Sequence, residues 1–273
     1  MSAYRIISLY SGSSGNAFLI VTPGARILID AGKNARALTR TLDEVGFPVE
    51  TIDAIFITHD HHDHTSALPV LLKHHPKPVH AVEASAQVIA RGAPQYVCDC
   101  LRRHTPLFCE TVGDVTVRSF ITPHDSEFSV GYRLELTDGE GVLHTIGYAT
   151  DLGYVTDDIR EALTGCESVV LESNHDREML LTGPYPYQLK ERILSRYGHL
   201  ANDDCAAFIC ELAEQGLRHV MLAHLSEQNN DPAIAYNETL TALGREDIDL
   251  FVAAPDRAVE LIMTAEHKEE SVC

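Results

Sequence analysis

The sequence predicts an α/β protein, and three observations carry that prediction. Short β-rich runs alternate with helical ones along the chain instead of segregating into separate stretches. No proline- or serine-rich linker and no charge block divides the 273 residues. Two stretches also share one signature. Ile27-Leu-Ile-Asp30-Ala-Gly32 and Gly147-Tyr-Ala-Thr-Asp151-Leu-Gly153 each read as a strand closing on an aspartate, with a glycine two residues later. Each is followed by a helix and another strand, ending in Thr58-His59 or Glu172-Ser173. The repeat predicts one domain of two related halves facing one another, about 1–135 and 136–265, with an acidic tail over 266–273. It also places polar groups at the carboxyl ends of strands, where α/β proteins build their sites.

The elements follow in order. A strand over Arg26–Asp30 leads to a helix over Ala35–Val45, then a strand over Ala54–His59 and a helix over Ser66–His74. Pro78–Val82 is a strand and Ala84–Arg91 a helix; Val115–Pro123, Val130–Leu136 and Thr145–Thr150 are three strands in succession. Helix Asp157–Leu163, strand Ser168–Glu172, helices Pro186–Arg196 and Asp203–Gln215, strand His219–Ala223, helix Pro232–Leu243 and strand Leu250–Ala253 complete the alternation. The strands are recognised as short apolar runs between polar punctuation, the helices by the 3.6-residue recurrence of apolar positions.

Composition excludes several classes. Hydrophobic residues make up 45% and charged residues 22%, which is globular and not disordered. No apolar run approaches the roughly 18 residues of a membrane span. The start, Met1-Ser2-Ala3-Tyr4-Arg5, lacks the charge, apolar stretch and cleavage site of a signal peptide, which predicts a cytoplasmic protein. Seven cysteines give no paired framework; Cys98, Cys100 and Cys109 match no common zinc spacing and read as core or surface thiols. A net charge of −19 works against any polyanionic partner. Histidine, at 15, is the unusual count.

Its distribution is informative. Ile57-Thr-His59-Asp60-His61-His62-Asp63-His64 follows an apolar strand and precedes a helix, so four imidazoles and two carboxylates crowd into six residues of one loop. Imidazole nitrogens and carboxylate oxygens suit divalent first-row metals, and such a cluster behind a buried strand is costly without a cation. Thr122-Pro-His124-Asp125 and Ala223-His224-Leu-Ser226 supply two further strand-end histidines. We assign His59, His61 and His124 to one ion and Asp63, His64 and His224 to a second, with Asp151 bridging them. Histidines 74, 75, 80, 104, 144, 219 and 267 read as surface or packing residues. The donor set accepts zinc, manganese or iron.

His59-x-His61-x-Asp63-His64 after a strand, the preceding strand–Asp30–x–Gly32, and the spaced His124, Asp151 and His224 together resemble the metallo-β-lactamase fold superfamily. The fold this implies is a four-layer αβ/βα sandwich of two facing mixed β-sheets, with a dinuclear site at one edge. The resemblance gives Asp30 the role of orienting a ligand histidine. Within that superfamily, Ser8-Leu-Tyr-Ser11-Gly-Ser13-Ser14-Gly-Asn16, Leu171-Glu172-Ser-Asn174-His175-Asp176, Gly183-Pro-Tyr185-Pro, Gly198-His199-Leu and His224-Leu-Ser-Glu-Gln-Asn229-Asn230 resemble the WalJ/YycJ (VicX)-type hydrolases. Ala201 departs from that pattern, which has serine there at a helix cap. Relatives of this type are double-strand DNA 5′→3′ exonucleases, so the resemblance implies a phosphodiester hydrolase acting on DNA ends.

The expected chemistry is attack by a hydroxide held between two divalent ions about 3.5–4 Å apart. Asp63 joins the catalytic residues as a ligand, and Glu172 and His199 are the candidates for delivering a proton to the leaving oxygen, by similarity to the transfer-RNA-processing relatives. Ser13, Ser14, Asn16, Asn174, His175, Tyr185, Lys190, Asn229 and Asn230 are candidate substrate contacts. The Ser11–Asn16 turn fits either a phosphate cradle of backbone N–H groups or a plain hairpin turn. His175 fits a ligand, a substrate contact or a turn. Charge is the objection to DNA; six basic side chains against four acidic ones between Lys73 and Arg118 offer a basic strip. A small-molecule phosphodiesterase, or another ester or lactone hydrolase of the same fold, is the alternative, and a non-catalytic metal-binding regulator the third. The sequence indicates no membrane partner and leaves homo-oligomerisation open.

Overall fold

The computed structural model describes residues 2–138 and 140–264. Two seven-stranded mixed sheets face each other. The first is built from β1 (Ser2–Tyr10), β2 (Ala17–Val21), β3 (Arg26–Ile29), β4 (Ala54–Phe56), β5 (Val79–Val82) and β6 (Leu101–His104), closed on its far side by β14 (Val259–Thr264), in the order 14-1-2-3-4-5-6. The second contains β7 (Cys109–Val112), β8 (Val115–Ile121), β9 (Val130–Thr137), β10 (Leu143–Ala149), β11 (Ser168–Glu172), β12 (His219–Ala223) and β13 (Asp249–Val252), in the order 13-12-11-10-9-8-7. The four-layer αβ/βα sandwich is therefore the observed architecture.

The strand sequences account for the layering. Ile6, Phe18, Ile20, Ile27 and Ile29 point between the sheets, where they meet Val117, Tyr132, Ile146 and Met221. Their neighbours Ile7, Leu19 and Leu28 point outward, under helices α1 (Ala35–Glu44) and α3 (Leu68–His74). On the other sheet Val169, Leu171, Val220 and Leu222 lie under α6 (Asp157–Leu163) and α9 (Asn202–Ala213). Strands buried on both faces read as continuous apolar runs instead of alternating ones. Each Leu, Ile or Phe buried this fully contributes about 1.5–3 kcal/mol.

Every strand and helix in the sequence reading has a counterpart, with ends that agree to within about three residues; the expected single helix Ser66–His74 is α3, preceded by a separate turn of helix, α2 (His62–Thr65). Strands β1, β2, β6, β7 and β14 and helices α5 (Gln95–Cys100) and α7 (Arg177–Thr182) are additional to that reading, while α4 (Glu83–Ala90) and α10 (Pro232–Leu243) are the expected helices. The unforeseen β6 and β7 are edge strands carrying Arg102 and Arg103 or Glu110 and Thr111, whose polar character protects the edge and masks the strand signal. The chain changes sheets between His104 and Cys109, and β14 returns to the first sheet by pairing antiparallel with β1. The acidic tail and His267 lie outside the described residues. Cys98, Cys100 and Cys109 are free thiols.

Parallel pairing of β3 through β6 and of β10 through β13, with β8 antiparallel to β9 and β9 to β10, brings the carboxyl ends of β3, β4, β8, β10, β11 and β12 to one rim. Tyr132 Oη donates to the Ile57 carbonyl at 2.5 Å and Val130 N to that of Thr58 at 3.1 Å, fastening the histidine loop to the opposite sheet. Among the described residues no helix is long and apolar enough to cross a membrane.

Candidate metal centre and adjoining cleft

Three strand-end residues take the left-handed conformation although none is glycine: Asp30 at φ 62°, Asp151 at φ 58° and His224 at φ 56°. Such a backbone costs free energy for an ordinary side chain and persists where surrounding packing enforces it. Here it turns the chain off each strand while leaving the side chain over the rim. The two Asp-x-Gly repeats thus share a conformation as well as a spelling. Their glycines are needed for close approach: a Cβ on Gly32 would stand 1.9 Å from the Asp63 carbonyl oxygen, and one on Gly153 2.4 Å from the Arg196 backbone.

The expected residues converge. His59, His61 and His124 offer donor atoms within 4.8 Å of one another, as do Asp63, His64 and His224. Asp151 stands between the groups, with Oδ2 3.4 Å from His64 Nε2 and Oδ1 3.7 Å from His124 Nε2. His62 of the same loop is exposed and takes no part.

The arrangement fits divalent cations on two counts. First, His59 Nε2, His224 Nε2 and Asp151 Oδ2 are buried with no hydrogen-bond partner, a costly state for polar atoms unless something else binds them. Second, in four of the five histidines the rear ring nitrogen is held by an oxygen: His59 Nδ1 by Thr58 Oγ1 at 3.0 Å, His64 Nδ1 by Asp30 Oδ2 at 2.8 Å, His124 Nδ1 by the Gly198 carbonyl at 3.2 Å, and His224 Nδ1 by Glu172 Oε1 at 2.8 Å. A carboxylate or carbonyl behind the ring keeps the proton there and leaves a lone pair facing the centre, the usual support of a metal-ligating histidine.

Charge points the same way. Burial alone would push His64 down, but the Asp30, Asp151 and Asp63 carboxylates hold it well above its usual value. His224, likewise against burial, is pushed up to about 10 by Asp151, Asp63 and Glu172. His59, in the same loop, falls well below its usual value because burial and the neighbouring imidazoles oppose its charge. Asp63 resists the upward effect of burial and is held below the ordinary carboxylate range by His64 and His224. The buried carboxylates therefore demand positive charge, which protons or bound cations supply.

Glu172 is not placed to donate a proton itself. It is fully buried; Oε1 accepts from Nδ1 of both His199 and His224 at 2.8 Å, and Oε2 accepts from the Leu152 and Leu200 N–H groups at 2.9 and 3.2 Å. Burial would raise its carboxyl, but the two histidines keep it well below the usual range. It is an acceptor holding two rings. His199 is the partly exposed member, and it lines a cleft of about 200 Å³ beside the centre.

Ser13, Asn174 and Tyr185 line that cleft, as expected, together with Asp125, Arg192 and Ser226, which sequence reasoning missed. Asp125 and Ser226 carried a signal, as near neighbours of His124 and His224; Arg192 carried none. The other candidate contacts do not line it. Ser14 is exposed on the β1–β2 turn. Asn16 is buried, its Nδ2 3.1 Å from His64 Nε2 and 3.4 Å from Asp63 Oδ2, turned to the centre. Lys190 spends its ammonium on the Leu181 and Gly183 carbonyls at 2.7 Å. Asn230 bonds the Ser173 and Asn174 carbonyls and Asn202, holding the ends of β11 and the start of α9; Asn229 is buried beside Ser226. His175 is buried, with no partner for either nitrogen, and burial lowers it to about 4. Ala201 is the N-cap of α9 and supplies no side-chain acceptor, where serine would. The Ser11–Asn16 turn is a hairpin turn joining antiparallel β1 and β2; the N–H groups of Ser11, Gly12, Gly15 and Asn16 are all spent internally, which removes most of a phosphate cradle.

Residues 25–225, which include Asp30 to His224, match the family model described as "Beta-lactamase superfamily domain". The chain is 33% identical over 268 residues to exodeoxyribonuclease WalJ of Streptococcus pneumoniae, covering 94% of this chain and 97% of that one. It is 32% identical to exodeoxyribonuclease YycJ of Bacillus anthracis, covering 83% and 84%. In structure it resembles the metallo-β-lactamase fold protein YhfI of Bacillus subtilis with a TM-score of 0.69 at 18% identity, over 94% of this chain and 99% of that one, a likeness of fold alone.

Proposed function

Because this chain belongs to the beta-lactamase superfamily, alongside the WalJ- and YycJ-type proteins, we propose that it is a metal-dependent phosphodiester hydrolase that removes nucleotides from DNA ends in the 5′→3′ direction. One observation carries the hydrolytic part: unpartnered nitrogen and oxygen donors face each other beside a histidine that opens onto a cleft. The full-length similarity to proteins named exodeoxyribonucleases supports the choice of DNA.

His59, His61, His124, Asp63, His64, His224 and Asp151 would hold two divalent cations, with zinc, manganese and iron all compatible with the donors. Bound there, the cations supply Lewis acidity, lowering the pKa of water and neutralising phosphoryl charge. Asp30, Glu172 and the Gly198 carbonyl keep the ligand rings in the required tautomer. His199 holds its Nδ1 proton on Glu172 and lines the cleft; starting as the imidazolium, it gives its second proton, on Nε2, to the departing sugar oxygen and is left as the neutral Nδ1–H ring. Thioester and lactone hydrolysis have less use for such a donor, which favours phosphodiesters within the fold.

The test is the metal-reconstituted protein incubated with end-labelled DNA bearing a 5′-phosphate or a 5′-hydroxyl. Stepwise release from the 5′ end is expected. Turnover of bis(p-nitrophenyl) phosphate without DNA degradation would replace this reading with a small-molecule phosphodiesterase.

A further inference from the structure

A nuclease with a net charge of −19 must concentrate what basic character it has where the strand lies. The basic run from Lys73 to Arg118 does not do this. Lys77 and Arg102 line a separate groove with Pro76 and Tyr96, and no residue of that run lines the cleft beside His199. The segment from Tyr185 to Tyr197, containing helix α8 (Tyr187–Ile193), carries three basic side chains and one acidic one. Two of the three are occupied: Lys190 on backbone carbonyls, and Arg196 with its guanidinium 4.3 Å over the Tyr154 ring.

Arg192 remains. Its side chain is 57% exposed, it lines the cleft with His199, and its Nε donates to Asp125, the residue after His124. A guanidinium has five N–H donors in a rigid fork. Anchoring one of them fixes the plane and leaves the others for phosphate oxygens. A second groove, of about 310 Å³, flanks His124 on its other side and is lined by Tyr154 and Tyr197, with Glu127 and Asp158 among its walls. The Asp125 N–H donates to the Tyr197 carbonyl at 3.1 Å, so the two hollows share a wall. Tyr197 is 61% exposed, a free aromatic face of the kind on which bases stack. The acidic walls of that groove repel phosphate and leave its aromatic face for a base, whereas the Arg192 guanidinium, paired with Asp125 through Nε alone, keeps donors for phosphate.

Resting on the nuclease reading above, we propose that the Tyr185–Tyr197 segment seats a single-stranded DNA end, with Arg192 clamping a backbone phosphate and Tyr197 stacking a base. Stacking on Tyr197 needs an unpaired base, so a duplex end must fray to enter.

The experiment measures steady-state kinetics of the metal-loaded enzyme on a 5′-phosphorylated, single-strand-tailed duplex across a salt series. For Arg192→Gln, KM rises at least tenfold while kcat falls less, and the slope of log KM against log salt drops by roughly 0.7–0.9, one phosphate contact. Arg192→Lys recovers the slope but only part of the affinity. Tyr197→Ala raises KM about 5- to 100-fold with the slope intact. The loss in Arg192→Gln is at least tenfold larger on DNA than on bis(p-nitrophenyl) phosphate. Arg160→Gln, which breaks a comparably exposed ion pair with Glu211, leaves DNA kinetics unchanged. An unaltered salt slope in Arg192→Gln overturns the proposal, and a slope change in Arg102→Gln instead moves the strand to the other groove. A wild-type enzyme inert on DNA but active on the small ester sinks the nuclease reading itself, an outcome read before any variant is made.

Discussion

Among the described residues, two regions bring histidine and carboxylate close enough to hold a metal, and they are built on different principles. At the rim, the imidazoles of His59, His64, His124 and His224 are gripped from behind by oxygens, and their front atoms converge among buried carboxylates. Near the edge of the first sheet, His80, His104 and Glu110 also bring donor atoms within 4.8 Å. There the two rings, tilted only 9° from each other, satisfy one another through an Nδ1···Nε2 contact of 3.0 Å. Phe56 stacks on His80 with centroids 4.5 Å apart and Phe108 on His104 at 4.2 Å, while Glu110 lies 3.7 Å from His104 on the exposed side. Burial lowers His80 to about 4 and also lowers His104, which favours the neutral ring in both. Residue types and proximity therefore do not make a metal centre. Unpartnered front nitrogens, oxygens behind them and uncompensated buried negative charge do.

That contrast can be broken in four ways. The largest effect is expected from His61→Ala or Asp151→Ala, which should reduce hydrolysis more than about a thousandfold and cut bound metal, measured by elemental analysis. His80→Gln should keep full metal content and activity within about twofold; a loss of metal there would erase the distinction. Next, Glu172→Gln should cost about 10–100-fold in activity or metal affinity, since it loosens His199 and His224 together. A wild-type rate in that variant would mean that the carboxylate only fills space.

Chelation comes third. Removing cations with micromolar or tighter affinity should lower Tm by about 5–10 °C, reversibly on adding metal, because ligand binding at 100 times Kd is worth about 2.7 kcal/mol. An unchanged melting curve would argue against the rim as a cation site. The smallest effect belongs to the second cluster. With its folded value near 4 and an unfolded value of 6.5, His80 takes up a proton more readily in the unfolded chain. Its contribution is complete above pH 6.5 and is lost as pH falls from 6.5 to about 4. Denaturant titrations of wild type and His80→Gln should converge across that window by about 1 kcal/mol, after allowance for solvent screening. Parallel curves would mean that the ring titrates alike in both states.

Much of the rim was legible in the sequence because its ligands are announced locally. His59 to His64 lie within six residues, and His124, Asp151 and His224 each follow an apolar run that the sheet must bury. The parallel sheet then carries those ends to one side, so strand identity alone predicts convergence. The donor types likewise set the class of cation.

Other features exist only once the halves pack. The exchange of sheets at His104–Cys109 and the return of β14 depend on edge pairing, which polar edge strands conceal. That Glu172 accepts four hydrogen bonds and has no proton to give follows from the fold bringing Leu152, His199, Leu200 and His224 around one buried carboxylate. The sequence proposed Lys190 for the cleft, and only packing puts Arg192 there instead, against an aspartate 67 residues away. Sequence specifies what a side chain can donate, accept or bind; the tertiary structure specifies which of those capacities its neighbours have already used.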